Sequence, residues 1–162
     1  MDHLDATDVK LLKLLQENSN RTVKELASLV NLSSTPVFER MKRLEKNGYI
    51  KKYMAILSHE KLNKGFVVFC QIRLKYHSLE CRTQFMNVIA DIDEITECYN
   101  ISGEYDFMLK ICAQSMSHYK DFVLNILSVE ESIGSIHSLF VMEEVKQSYS
   151  VPFGVLQDHK PD

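Results

Sequence analysis

The chain has 162 residues, 45% of them hydrophobic and 25% charged, with a formal net charge of −3; that is enough for one or two buried cores and excludes wholesale disorder. No apolar run approaches the ~20 residues of a membrane-spanning helix, and the start Met1-Asp2-His3 lacks the basic opening and apolar middle of a signal peptide, so a cytoplasmic protein with no membrane partner is expected. Cys70, Cys81, Cys98 and Cys112 form no C-x-x-C pair and the six histidines are dispersed, which favours free, reduced thiols over a disulfide or a metal site.

Taken in chain order, the first sixty residues predict three helices. Asp5 or Thr7 can cap the first, whose Leu11, Leu12, Leu14 and Leu15 supply a broad apolar face ending near Asn18-Ser19-Asn20. Thr22-Val23-Lys24-Glu25 fits a capping box opening a second helix, and Val23, Leu26, Ala27 and Val30 recur behind it at helical spacing. Asn31-Leu32-Ser33 breaks the pattern, and Ser33 or Ser34 caps a third helix with Pro36 in its first turn and Asn47-Gly48 at its end. Val37, Met41 and Leu44 form its inward face, and Arg40 and Arg43 are expected to point out.

Charge is concentrated on that third helix. Between Ser33 and Lys52 stand six Lys/Arg and two acidic residues, a local balance of +4. Residues 1–60 hold ten basic and eight acidic residues, a balance of +2; residues 61–162 hold nine and fourteen, a balance of −5. Two short helices around a tight turn, the second basic and amphipathic, describe a helix-turn-helix that fits the major groove of double-stranded DNA. Ser34, Thr35 and Val37 are placed to meet base edges with Ser33 beside them. Arg40 and Arg43 lie within reach of bases or phosphates, and Lys51 and Lys52 suit phosphates. The bland alternative is a three-helix bundle with an ordinary basic face. Tyr49–Leu57 is extended in character, either a small wing or a linker strand.

After the polar connector 58–65 the periodicity becomes that of strands. Phe66–Lys75, Ile95–Ile101, Tyr105–Cys112 and Ile136–Val145 are predicted strands, with Ser102-Gly103-Glu104 as a hairpin turn. Cys81, Phe85, Val88, Ile89 and Ile92 mark one helix, and Phe122, Val123, Ile126 and Leu127 another. The order β-α-β-β-α-β implies an α+β, ferredoxin-like sandwich with both helices on one face of an antiparallel sheet. The apolar residues of the other face make a symmetric homodimer the expected solution. The expected divisions are residues 1–57, 58–65, 66–147 and a tail over 148–162, which either covers a dimer edge or stays disordered.

This combination resembles the Lrp/AsnC family of feast/famine transcription regulators. The likeness is carried by LDATDVKLLKLLQENSNRTVKELASLVNLSSTPVFERMKRLEKNGYIKKYMAIL, ECYNISGEYDFMLKI and FVMEEVKQS, in that order. The resemblance implies a winged helix-turn-helix domain, dimers that assemble into octamers or other even arrays, and an amino-acid effector bound at contacts between dimers. It places the effector near Ser102, Gly103, Glu104, Tyr105 and Asp106, with Tyr99, Met116, Leu139 and Val141 influencing the response. The residue types suit this: Gly103 permits close backbone approach, Asp106 can pair with an α-ammonium, and the apolar bulk suits an aliphatic or thioether side chain such as that of leucine or methionine. The bland alternative is that Gly103 makes a turn, Asp106 caps it, and the apolar residues are core. No P-loop, G-x-G-x-x-G, H-E-x-x-H or G-x-S-x-G occurs. No catalytic residue and no cofactor are therefore expected, although relatives of similar layout decarboxylate sirohaem.

Overall fold

Of the two residues suited to cap the first helix, Asp5 does so. Its carboxylate accepts from the Asp8 backbone N–H while the Asp8 side chain accepts from the Asp5 N–H, a reciprocal box that opens α1, Ala6–Glu17. Thr22 and Glu25 close the same arrangement at the start of α2, Val23–Val30. Asn31 then adopts the left-handed conformation (φ 57°) and the Leu32 N–H returns to the Ala27 carbonyl, so three residues turn the chain into α3, Ser34–Lys46. Ser33 sits at the cap position of α3 without a side-chain cap bond. Leu11, Leu15, Leu26, Ala27 and Val37 form the buried centre, with Leu14, Val23, Val30, Met41 and Ile50 against it.

The computed structural model describes residues 4–153. They divide into two compact units, one comprising the chain up to Ile56 together with the segment from Lys146, the other Leu57–Val145. Residues 51–58 carry no strand. Of the expected tail, the part up to Phe153 belongs to the first unit, where Gln16 Nε2 donates to the Val151 carbonyl and Gln16 Oε1 accepts from the Val151 N–H. Lys13 Nζ lies 5.9 Å from the centre of the Phe153 ring. The remainder, 154–162, lies outside the described residues.

The second unit is a four-stranded antiparallel sheet in the order β2-β3-β1-β4, built from β1 (Phe66–Leu74), β2 (Ile95–Asn100), β3 (Phe107–Ala113) and β4 (Ile133–Phe140). Helices α4 (Leu79–Ala90) and α5 (Met116–Phe122) connect the strands, and α5 runs on into a π-helical turn, Val123–Leu127. The core lies between sheet and helices: Val68, Cys70, Ile72, Phe107, Leu109 and Ile111 from the strands meet Phe85, Tyr119, Phe122 and Leu127. The last strand begins three residues before the expected Ile136 and ends at Phe140. Its antiparallel register on β1 pairs Phe140 with Val68 as the last ladder pair, and only the Val141 N–H goes further, to the Val67 carbonyl. Val88, expected on the inward stripe of α4, is 37% exposed.

Candidate DNA-binding helix and effector cleft

On α3 the side chains divide among three directions. Val37 is fully buried in the core of the first unit, which corrects the expectation that it meets base edges. The reason is the helical repeat: Val37, Met41 and Leu44 share one stripe, and that stripe faces α1 and α2. Arg40 and Arg43 flank it and are tied to α1. Arg40 Nη1 donates to Asp8 Oδ1 at 2.7 Å and to Asp5 Oδ2 at 2.6 Å, and Arg43 Nη2 donates to Asp8 Oδ2 at 2.6 Å. Asp8 is completely buried, so its charge is compensated by two guanidinium groups rather than by water. The Arg40 guanidinium is held above its ordinary range by its bonds to Asp8 and Asp5. The Asp5 carboxyl is held below its own, chiefly by the Asp8 backbone N–H and then by Arg40. The two arginines thus fasten α3 to α1 instead of projecting unengaged from an outer face.

The third direction is exposed. Ser33, Ser34, Thr35, Phe38, Lys42, Lys51 and Lys52 all face solvent. Lys42 Nζ donates to Glu45 Oε2 at 2.9 Å, and Glu45 Oε1 accepts from the Tyr53 hydroxyl at 3.1 Å. Burial and the Glu45 carboxylate together push the Tyr53 hydroxyl up to about 12. Phe38 and Lys42 were not among the residues that the sequence singled out. The signal was present, since neither falls on the stripe of Val37, Met41 and Leu44: Phe38 lies about a quarter-turn from it and Lys42 further round.

In the second unit, a cleft of about 350 Å³ opens between the end of β1 and the start of α4. It is lined by Leu74, His77, Ser78, Leu79, Arg82, Asn100, Asp106 and Phe107. Asp106 anchors the rim: its Oδ2 accepts from the Leu74 N–H at 2.7 Å, its Oδ1 lies 3.4 Å from His77 Nδ1, and its carbonyl accepts from Asn100 Nδ2 at 2.8 Å. Ser78 caps α4, its hydroxyl accepting from the Cys81 N–H. The neighbouring turn is built by Arg73, which donates to the Glu104 carbonyl and carboxylate and lies 5.5 Å from the centre of the Tyr105 ring; His137 stacks on that ring at 5.9 Å. Gly103 adopts φ +125°, open to solvent and closed to other L-residues without strain.

Of the nine expected effector residues, only Asp106 lines this cleft. Ser102, Gly103, Glu104 and Tyr105 form the adjacent turn. Tyr99 is 53% exposed with its hydroxyl donated to Glu97, and Leu139 is 41% exposed opposite Phe69. Met116, 53% exposed, begins α5 beyond the far end of β3 from Asp106. Seven strand residues at ~3.4 Å each put these two roughly 20 Å or more apart. A single chain therefore does not gather all nine into one pocket.

A family model described as Winged helix-turn-helix DNA-binding matches residues 4–51, and one described as Lrp/AsnC ligand binding domain matches residues 67–151. The chain is 33% identical to the DNA-binding transcriptional activator DecR of Escherichia coli over 149 residues, covering 92% of this chain and 98% of that protein. It is 37% identical to the leucine-responsive regulatory protein of Haemophilus influenzae over 145 residues, covering 90% and 87%. Among solved structures, a transcriptional regulator from Neisseria meningitidis in complex with L-Met superposes with a TM-score of 0.89 at 33% identity, covering 93% of this chain and 97% of that one. The chain belongs to the Lrp/AsnC family: it is a DNA-binding transcriptional regulator with a ligand-binding domain, not an enzyme.

Proposed function

We propose that the chain regulates transcription in response to a free amino acid with an apolar side chain, leucine or methionine among the candidates, and that it acts as a homodimer within a larger even assembly such as an octamer. The observation that carries the effector reading is the cleft at Asp106. A zwitterion offers a cation and an anion a fixed distance apart. Asp106 stands at one side of the cleft for the ammonium, Arg82 is available for the carboxylate, and Leu74, Leu79 and Phe107 provide apolar wall. The L-Met complex of the Neisseria meningitidis relative supports the ligand class. Tyr99, Met116, Leu139 and Val141 act on this site from a second copy or through assembly, which links effector binding to oligomeric state.

The assembly reading rests on the sheet face turned away from the helices. Phe69, Met108, Tyr99 and Leu139 share it with the Lys110–Glu97 ion pair; pairing two such faces removes apolar surface from water. In DNA binding, Ser33, Ser34 and Thr35 meet base edges, Lys51 and Lys52 meet phosphates, Arg43 offers the exposed edge of its guanidinium, and Arg40 works through α1 as a positioning residue. A thermal-shift screen of the twenty amino acids, followed by calorimetry on Asp106→Asn, tests the effector reading, because a ligand that binds only the native state raises its stability. One or more apolar amino acids should stabilise the parent, and Asp106→Asn should abolish that shift while retaining DNA binding. No shift with any amino acid, or unaltered binding in the variant, refutes it.

A further inference from the structure

Phe38 is 51% exposed, stands outside both buried clusters, and lies on the flank of α3, about a quarter-turn from the buried Val37 stripe. Ser34, Phe38 and Lys42 follow one another at intervals of four residues, so they form a single ridge with Thr35 beside its start. Lys42 Nζ lies 5.8 Å from the ring centre, and Glu45 holds the same ammonium. Arg40 and Arg43, the two arginines of the helix, reach toward Asp8. Phe38 is the one large apolar side chain that α3 leaves exposed.

We infer that Phe38 is a specificity-determining residue of this DNA-binding helix, and that it recognises the 5-methyl group of a thymine in the major groove. The inference rests on α3 being the helix that enters the groove. The chemistry follows from what base edges offer there. Guanine, cytosine and adenine present hydrogen-bond donors and acceptors that a hydrocarbon ring cannot satisfy; thymine alone adds an apolar group. Against the polar edges the ring displaces water and returns no hydrogen bond, which costs binding. Against a thymine methyl it covers apolar surface that both partners otherwise expose. Ser34 and Thr35, one turn earlier, supply the hydrogen-bonding part of the readout. Lys42, one turn later, supplies a cation beside the ring.

The test uses the full chain. A duplex enriched from a random library by the unaltered protein serves as probe, and each thymine is replaced singly by deoxyuridine, which removes only the 5-methyl. Affinities are measured by fluorescence anisotropy for the parent, Phe38→Leu and Phe38→Ala, with a thermal melt of each variant as the folding control. One thymine per bound helix should show an affinity loss of about fourfold on conversion to deoxyuridine in the parent, the worth of one covered methyl. That loss should shrink in Phe38→Leu and vanish in Phe38→Ala, which also binds the unmodified duplex more weakly. An unchanged deoxyuridine penalty in Phe38→Ala, or no penalty at any thymine in the parent, overturns the assignment while leaving DNA binding intact. Failure to enrich any duplex overturns the role of α3 and this assignment with it.

Discussion

Replacing Asp8 by Asn keeps the shape of a fully buried side chain and removes the charge that faces two guanidinium groups at 2.7 and 2.6 Å. A hydrogen bond to an ionised acceptor contributes ~1.5–3 kcal/mol and a neutral one ~0.5–1.5; the Asn amide keeps one acceptor and turns an NH2 toward the other donor, so one bond weakens and one is lost, about 3 kcal/mol between them. Part of that is recovered. The Arg43 side chain is 48% exposed and rehydrates, while Arg40, 27% exposed, keeps Asp5 at 2.6 Å. The expected net loss is therefore about 1–2 kcal/mol for the first unit, and nearer 2–3 for Asp8→Ala, which also deletes the acceptor for the Asp5 N–H. Native-state hydrogen exchange read by mass spectrometry separates this from a general effect. Exchange through global opening of α1–α3 should speed up roughly five- to thirtyfold in Asp8→Asn, with peptides of β1–β4 unchanged. Equal acceleration in both units, or less than a twofold change in α1–α3, refutes the assignment of Asp8 as the fastener of α3.

Gly134 lies where β4 meets a register shift in β1, and a Cβ there would stand 3.1 Å from the Leu74 carbonyl oxygen and 3.1 Å from Lys75 Cα. Both are backbone atoms, so Gly134→Ala should destabilise the second unit by about 1–2 kcal/mol and lower its urea midpoint without changing the slope; an unchanged midpoint contradicts the crowding. Three carboxyls of the first unit are held below their ordinary values: Asp5 mainly by the Asp8 N–H, Glu25 by the Thr22 N–H and hydroxyl, and Glu45 by Lys42 and then Tyr53. A carboxyl lowered on folding stabilises fully above its unfolded value, 3.8 for Asp and 4.5 for Glu, and loses that contribution as pH falls through the folded value. The first unit should thus be insensitive to these groups between about pH 6 and 8 and weaken below about 4, with Asp5→Asn flattening the acid limb; a pH-independent urea midpoint down to pH 3 contradicts this.

The local grammar of the chain was legible because its signals are short-range. Thr22 and Glu25 closed the box that their spacing announces, and the order of strands and helices after Phe66 followed from the change of period at that residue. The fate of Arg40 and Arg43 was not legible. They read as outward and cationic until Asp5 and Asp8, more than thirty residues earlier, are brought opposite them at the same three-residue spacing. That pairing depends on how α1 crosses α3, and no pattern within either helix encodes it. Val37 shows the opposite failure, since the wheel alone assigns it to the stripe of Met41 and Leu44. The residues expected to hold the effector were legible as a turn around Gly103. They were not legible as a cleft, because His77, Ser78 and Arg82 join Asp106 only through the return of β1 into α4.

The two hydrogen bonds between Gln16 and Val151 join residues 135 positions apart, and that separation has a meaning in time. Synthesis proceeds from the N-terminus at ~5–20 residues per second, so about 7–27 s pass between the making of Gln16 and the making of its partner. During that interval the three helices can close around Leu11, Leu26 and Val37 from local sequence alone, while the end of α1 waits for a segment not yet translated. The ligand-binding unit is made in between. A nascent chain therefore holds a formed helix-turn-helix before it holds the segment that finishes the surface of α1, and residues made after the ligand-binding unit complete the first domain to fold.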